Sequence, residues 1–374
     1  MTALDIIKLI ILVICLPSTA LMVWRLFKNL RRFRAADFEV RYLSTEEAPS
    51  VSVCIPVRNE DHAIRDCLER VLASTYPKME VIVLDDDSVD NTDEVVKIFA
   101  RSGVRFIKGK ELPEGWIGKN KAMDQLASQA SGQYILFLSA DTDIKPDSIS
   151  RLVSHAVRHK LDMIGVMPIR LDGQRLSAIF ATMRYFWPLA FGKTNSPASS
   201  TAAWLVRRQA LADNGGFAKY KSAVMPESRL AEDFAQKKTY QFVISDEQLG
   251  FSYEKRWSSQ IDTAIRTLWP VNVRSGSGVL GALLIPPLIW SVLTIDFLTQ
   301  SSIVVDILLT IVALGFPIAY VRFAFVAWRK TSWLSLVIWP FILLQEIFCL
   351  SASFWRHQSH SLVWKGRTLT DHID

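Results

Sequence analysis

Cysteine is scarce in this sequence: four residues, Cys15, Cys54, Cys67 and Cys349, among 374. No two stand in CxxC spacing and two fall in hydrophobic runs. That argues against a disulfide framework or a zinc site and leaves reduced, cytosol-facing chemistry as the expectation. Internal repeats and low-complexity tracts are missing. So is any basic stripe with interleaved aromatics, and no nucleic-acid partner is expected. The net charge of +6 is modest, with the cations gathered beside the hydrophobic runs, which suits an anionic membrane surface.

Half of the residues are hydrophobic and the mean hydropathy is +0.19. That is too apolar for an ordinary soluble enzyme and not apolar enough for a channel, so a soluble domain with a few spanning segments is expected. Residues 9–24 carry no charge, and 6–27 are long enough to cross roughly 30 Å of hydrocarbon. Arg25, Lys28, Arg31, Arg32 and Arg34 follow. A cleaved signal peptide carries its charge before the apolar run. A membrane anchor over residues 1–30 is therefore expected, with its N-terminus outside and the following domain cytoplasmic. From 279 to 355 the chain is again lipid-like, in segments 279–298, 304–326 and 332–354. The last contains Pro340 and Glu346, which interrupt a helix ladder and put a carboxylate near mid-span. A re-entrant or interfacial hairpin bent near Pro340 is expected there, returning the tail, 356–374, to the cytoplasmic face. The protein is thus expected to be a multi-pass protein of the cell membrane.

Between residues 49 and 274 short β-branched or aromatic runs alternate with helical patterns. Strands are expected at Val51–Val57, 81–84, 104–107 and 134–139, and helices at 61–73 (capped by Asp61), 92–101 and 119–130. This is an α/β pattern with a mostly parallel sheet covered on both faces. Ligands of such folds bind at the carboxyl ends of the strands, where the acidic residues stand.

The first strand closes on Pro56-Val57-Arg58-Asn59-Glu60 and the next on Asp85-Asp86-Asp87-Ser88-Val89-Asp90-Asn91-Thr92. Carboxylates so placed accept hydrogen bonds from a base and a ribose. Gly115-Trp116-Ile117-Gly118-Lys119-Asn120-Lys121-Ala122 puts Lys119 at a helix N-terminus, a natural diphosphate site. The apolar strand Tyr134-Ile135-Leu136-Phe137-Leu138 delivers Ser139-Ala140-Asp141-Thr142-Asp143, whose carboxylates suit a hard divalent cation. Gly215-Gly216-Phe217 precedes Leu230-Ala231-Glu232-Asp233-Phe234. A sugar-accepting hydroxyl is too weak an acid to attack unaided, and a carboxylate there could take its proton.

In this order the motifs resemble the family 2 glycosyltransferases, whose patterns are PxxNE, DDxSxDxT, Asp-Ala-Asp after a strand, and GGF followed by an ED pair opening a helix. Residues 115–122 are similar to the GWxGKxxA segment of the hopanoid-associated and carotenoid glycosyltransferases. The resemblance extends over nearly the whole chain and implies a GT-A nucleotide-diphospho-sugar transferase domain between N-terminal and C-terminal transmembrane helices. It assigns Glu60 to the base, Asp86 to the nucleoside and Lys119 to the diphosphate. Asp141 becomes the ligand of Mg2+ or Mn2+, with Asp143 assisting because Ser139 replaces the family's first aspartate. Asp233 becomes the catalytic base, with Glu232 its neighbour or substitute. The family's (Q/R)xxRW element has two approximate counterparts: Arg266 with Trp269, and Tyr253 followed by Arg256-Trp257. The tail Trp364-Lys365-Gly366-Arg367 resembles an element ending the carotenoid and ceramide glucosyltransferases, so Lys365 or Arg367 is expected to meet the diphosphate. The aromatic stretch 179–191 fits either a buried helix or a surface beside a lipid acceptor.

The implied reaction is inverting transfer of a hexose, with glucose from UDP-glucose favoured, to a membrane lipid such as a carotenoid, hopanoid, sphingolipid or diacylglycerol. Two alternatives stay open. One is a polyprenyl-phosphate glycosyltransferase or polysaccharide synthase of the same fold, and the other an inert relative that only binds.

Overall fold

A seven-stranded sheet and a smaller three-stranded one answer the alternation expected between residues 49 and 274. The computed structural model describes residues 3–34, 43–170, 177, 180–192, 196–275, 283–284, 286–288, 290–291, 294, 303–328, 332–365 and 367–368. The chain divides into two compact units. One comprises Phe33–Leu171, Thr194–Lys255 and Trp355–Asp374, and the other Met1–Arg32, Asp172–Lys193 and Arg256–Phe354.

The first unit is built on β1 (Val51–Val57), β2 (Met79–Asp85), β3 (Val104–Lys108), β4 (Tyr134–Leu138), β6 (Met163–Met167), β8 (Ala203–Arg207) and β9 (Tyr240–Ile244). Their order in the sheet is β3-β2-β1-β4-β8-β6-β9. β3, β2, β1 and β4 are mutually parallel, β8 runs against both of its neighbours, and β6 and β9 are parallel again. Helices cover both faces, so the strands read as continuous apolar runs rather than alternating ones. Val51, Val53, Ile55 and Val57 enter one core and Cys54 the other.

Helices α2 (Ile64–Leu72), α3 (Thr92–Ile98), α4 (Gly118–Gln129) and α5 (Ser148–Arg158) link the strands. α2 starts later than the capping role given to Asp61 implies. The Asp61 amide is hydrogen-bonded to Asp90, so the chain enters the helix only after Ala63. Short strands β5 (Thr142–Asp143), β7 (Ile169–Arg170) and β10 (Ser252–Tyr253) form a second sheet in the order β5-β10-β7.

The second unit is helical. α1 (Ala3–Arg32), α10 (Ile303–Ala327) and α11 (Ser335–Gln358) are each long and apolar enough to cross a membrane. α1 and α10 run side by side in the same direction. Lys8 pairs with Asp306 at 3.5 Å, Gly315 lies under Thr19, and the Arg322 guanidinium sits 6.0 Å from the Phe27 ring. Gly315 lets the backbones close up as small residues do in membranes. Most of segment 279–298 lies outside the described residues.

The expected hairpin at Pro340 is corrected: α11 is one helix through that residue. Pro340 falls in its second turn, where its missing amide removes one bond of the ladder, that to the Leu336 carbonyl, without ending the helix. Glu346 needs no bend to reach polar company. It is buried and accepts hydrogen bonds from the Met183 amide at 2.8 Å and the Trp187 indole at 2.9 Å. Trp187 belongs to α6 (Phe186–Phe191), whose rings stack among themselves and against Phe316. Of the two readings of that aromatic stretch, α6 takes the buried one.

Candidate active site

The loops leaving β1 and β2 are stitched together. The Asn59 amide donates to Ser88 Oγ at 2.9 Å, and the Val89 amide donates to Asn59 Oδ1 at 2.9 Å. The Glu60 amide donates to Thr92 Oγ1 at 2.8 Å. Asn59 and Asp87 both have left-handed backbones, φ 51° and 61°, which Asn and Asp tolerate best. Arg58 is buried across the seam, its guanidinium donating to the carbonyls of Asp86 and Asp87. Asp86 is buried too, and its amide donates to the Val57 carbonyl at 2.8 Å. The two carboxylates assigned to a nucleoside are thereby fixed in place.

The tail reaches the same seam. β11 (Val363–Trp364) and β12 (Arg367–Thr368) pair antiparallel around Lys365, whose φ of 46° suits a tight turn. Lys365 Nζ donates to the carbonyls of Arg58 at 2.6 Å and Asn59 at 3.2 Å, and it ion-pairs with Glu60. Arg58 Nε donates back to the Lys365 carbonyl at 3.1 Å. Burial pushes the Glu60 carboxyl above the ordinary range, against the pull of Lys365 and with a smaller push from Asp141. Lys365 was expected at a diphosphate and stands at Glu60. The side chain of Arg367 lies outside the described residues.

Asp141 and Asp143 go separate ways. Asp143, in β5, is ion-paired with Arg70 of α2, and burial still lifts its carboxyl above the usual range. Asp141 lies near enough to Glu60 to raise it, and Lys255 Nζ is 3.5 Å from its carboxylate. Among the described residues no three His, Cys, Asp or Glu side chains converge as a metal cage. The arrangement fits a cation held by one carboxylate and completed by substrate phosphates, a common habit of Mg2+ sites.

Lys255 was missed in the sequence. It follows β10, whose pairing with β5 brings it beside Asp141. The signal was available: Lys255 lies inside the Tyr253–Trp257 version of the (Q/R)xxRW element. Trp269, the other version, is in α9 (Trp257–Ser275) of the helical unit, where its ring meets Phe354 and its amide bonds Ser353 Oγ.

Lys119 occupies the first turn of α4, half-buried, as expected. Glu232 and Asp233 lie in α8 (Pro226–Gln236). Glu232 accepts from Ser196 Oγ at 2.8 Å and lies 3.7 Å from Arg229. Asp233 is committed elsewhere: one oxygen receives Asn214 at 2.9 Å, the Lys219 ammonium and the Tyr220 hydroxyl. Burial alone would raise its carboxyl, but these three donors outweigh burial and hold it below the ordinary value.

Residues 52–215, which contain the stitched loops, the α4 turn and Asp141, match the family described as Glycosyl transferase family 2. The chain carries a family 2 glycosyltransferase domain. The chain is similar to the uncharacterized glycosyltransferase YibD of Escherichia coli K12, 28% identical over 113 residues, covering 30% of this chain and 32% of that protein. It is also similar to the poly-beta-1,6-N-acetyl-D-glucosamine synthase of Staphylococcus aureus strain COL, 34% identical over 118 residues, covering 29% of this chain and 28% of the synthase. These matches span less than a third of either relative. Among solved structures, the mannosyltransferase PcManGT of Pyrobaculum calidifontis in complex with GDP-Man and Mn2+ aligns with 94% of this chain and 99% of its own, at a TM-score of 0.58 and 16% identity. At that identity the likeness shows the fold alone: the chain has a GT-A fold, with membrane-length helices towards both ends.

Proposed function

We propose that this glycosyltransferase moves a sugar from a nucleoside-diphosphate donor, at the carboxyl ends of β1, β2 and β4, to an acceptor at a membrane surface. One observation carries this reading: Glu60, Asp86 and Asp141 stand at the ends of adjacent parallel strands, with the cations Arg58, Lys255 and Lys365 set among them. Acids for the base and ribose beside cations for the phosphates are what such a donor requires. Asp141 would hold a divalent cation, Mg2+ or Mn2+, which neutralises charge on the leaving diphosphate. Lys255 then turns to the phosphates, and Lys119 meets them from the positive end of α4.

A membrane-borne acceptor is supported by the three apolar helices and by the outward apolar faces of α1 and α11, such as Val13, Ile14, Val337, Phe341 and Leu344. The basic residues closing α1 favour a cytoplasmic transferase domain. Within this class a lipid glycosyltransferase using UDP-glucose is the first reading, because the GWxGK segment and the docked tail accompany it. The likeness to a poly-N-acetylglucosamine synthase supports a polymer-forming second reading.

Purified protein in vesicles of total bacterial lipid, given Mn2+ and radiolabelled UDP-glucose, UDP-N-acetylglucosamine or GDP-mannose, separates them. Label entering the organic phase as a single glycolipid supports the first reading. Label retained as an insoluble polymer supports the second. Release of no nucleotide from any donor would sink both.

A further inference from the structure

Glu227 is a buried acid that the site described above leaves unused. It is the second residue of α8 and fully buried, and neither of its oxygens has a hydrogen-bond partner among the described residues. Buried polar groups are almost always answered, and an orphan calls for an explanation. An acid kept in a first helical turn for stability alone would turn to the free amides there. Glu227 does not.

The direction of α8 decides what Glu227 faces. β8 runs against β4, pairing Ala203 with Leu138 and Arg207 with Tyr134. The next helix, α7 (Arg208–Asp213), therefore starts at the amino ends of the parallel strands, where the Arg208 amide donates to the Gln133 carbonyl. Asn214 ends that helix, and Asp233 is hydrogen-bonded to it. The far end of α8 points the same way. The Thr239 amide bonds the Phe234 carbonyl, and Tyr240 then pairs with Met163, the first residue of β6. So α8 descends from the carboxyl ends of the strands to their amino ends. At 1.5 Å per residue, Glu227 stands roughly 9 Å nearer the carboxyl ends than Asp233.

The loop entering α8 agrees. The Ile117 amide, at the head of α4, donates to the Lys221 carbonyl at 2.9 Å. Asn120 Nδ2 donates to the carbonyls of Tyr220, Lys221 and Ala223 at 2.9, 3.0 and 2.8 Å. Asn120 Oδ1 is also buried and without a partner among the described residues. Two unanswered acceptors thus belong to the heads of α4 and α8, at the end of the sheet that bears Asp86 and Asp141.

We infer that Glu227, and not Asp233 or Glu232, is the carboxylate that takes the acceptor's proton, an assignment that rests on the sugar-transfer reading. The acceptor hydroxyl gives its proton to Glu227 while its oxygen bonds the anomeric carbon. The bond from that carbon to the diphosphate breaks, and the nucleoside diphosphate leaves with the electron pair. Glu227 then passes the proton to water. The ED pair lower in α8 is structural: Asp233 ties α8 to the Gly215-Gly216 turn and Glu232 holds Ser196.

The test uses full-length protein in the labelled vesicles, with transfer, UDP binding by calorimetry and melting temperature read on each variant. Glu227→Gln should lower transfer by roughly a hundredfold or more, with UDP affinity and melting temperature kept. Glu227→Asp, which withdraws the acid by one methylene, should fall between it and the unaltered protein, and covers the case in which the glutamine variant misfolds. Asp233→Asn should melt lower yet transfer within a few-fold of normal. A Glu227→Gln protein that folds and transfers normally overturns the assignment while leaving the transferase reading intact. If the unaltered protein releases nucleotide from none of the three labelled donors, the underlying reading fails and the assignment falls with it.

Discussion

The two halves of the large sheet present their chemistry differently. In β3-β2-β1-β4 the candidate acids Glu60, Asp86 and Asp141 each follow a parallel strand within a few residues, so sequence position nearly equals spatial position. In the half containing β8 the strand is reversed, and the candidate acids are distributed along a helix that runs away from the carboxyl ends of the parallel strands. The strand ends fix Glu60, Asp86 and Asp141, whereas the eleven residues of α8 run from the carboxyl ends of the strands towards their amino ends. A motif that ends a strand is therefore a safer guide to a site than a motif carried on a helix.

The sharpest test of the donor half is Asp141. Asp141→Ala should abolish metal-dependent UDP binding and lower transfer on the order of a hundredfold or more. Asp143→Ala, which only releases Arg70, should stay within about tenfold. Calorimetry with UDP and Mn2+ checks this, and a larger loss for Asp143 would mean that the two acids exchange roles when the donor binds. A smaller effect is expected at the seam. Lys365→Met leaves Glu60 and two carbonyls without their cation and should weaken UDP binding about tenfold, or about 1.4 kcal/mol. Glu60→Gln in the same chain should add little further loss, since the two side chains act as a pair.

The smallest effect tests the structural half. Asp233 is held below its ordinary pKa in the folded protein, so its contribution to stability is present above the unfolded carboxylate value of about 3.9 and fades as pH falls through the lower folded value. The melting temperature of Asp233→Asn should therefore lie below that of the unaltered protein at neutral pH, by an amount corresponding to roughly 1–2 kcal/mol. The gap should close in acid below pH 4. A gap independent of pH would place the stabilisation elsewhere than on the carboxylate.

The sheet, the helix order around it and the four donor motifs were legible because hydrophobic period and strand-end acids are local signals. Lys255 and Lys365 were harder, since each earns its place through a partner far along the chain: Lys365 meets Glu60 across 305 residues. The position of the ED pair was not legible, because the helix start was unknown. A helix beginning at Pro226 puts Glu232 and Asp233 in its second and third turns, not the first. Pro340 is a like case, since its cost depends on where in the helix it falls.

The lock between Arg58 and Lys365 also sets an order in time. The two residues are separated by 307 positions, and synthesis at about 5–20 residues per second puts roughly 15–60 s between them. Throughout that interval Glu60 and the stitched loops exist without their last cation, while α10 and α11 are still to be made and inserted. The contacts of Lys365 with Arg58 and Glu60 form only when the chain that follows α11 has been made, so on the ribosome a growing polypeptide holds the seam between the β1 and β2 loops unfinished until both membrane-length helices have been synthesised.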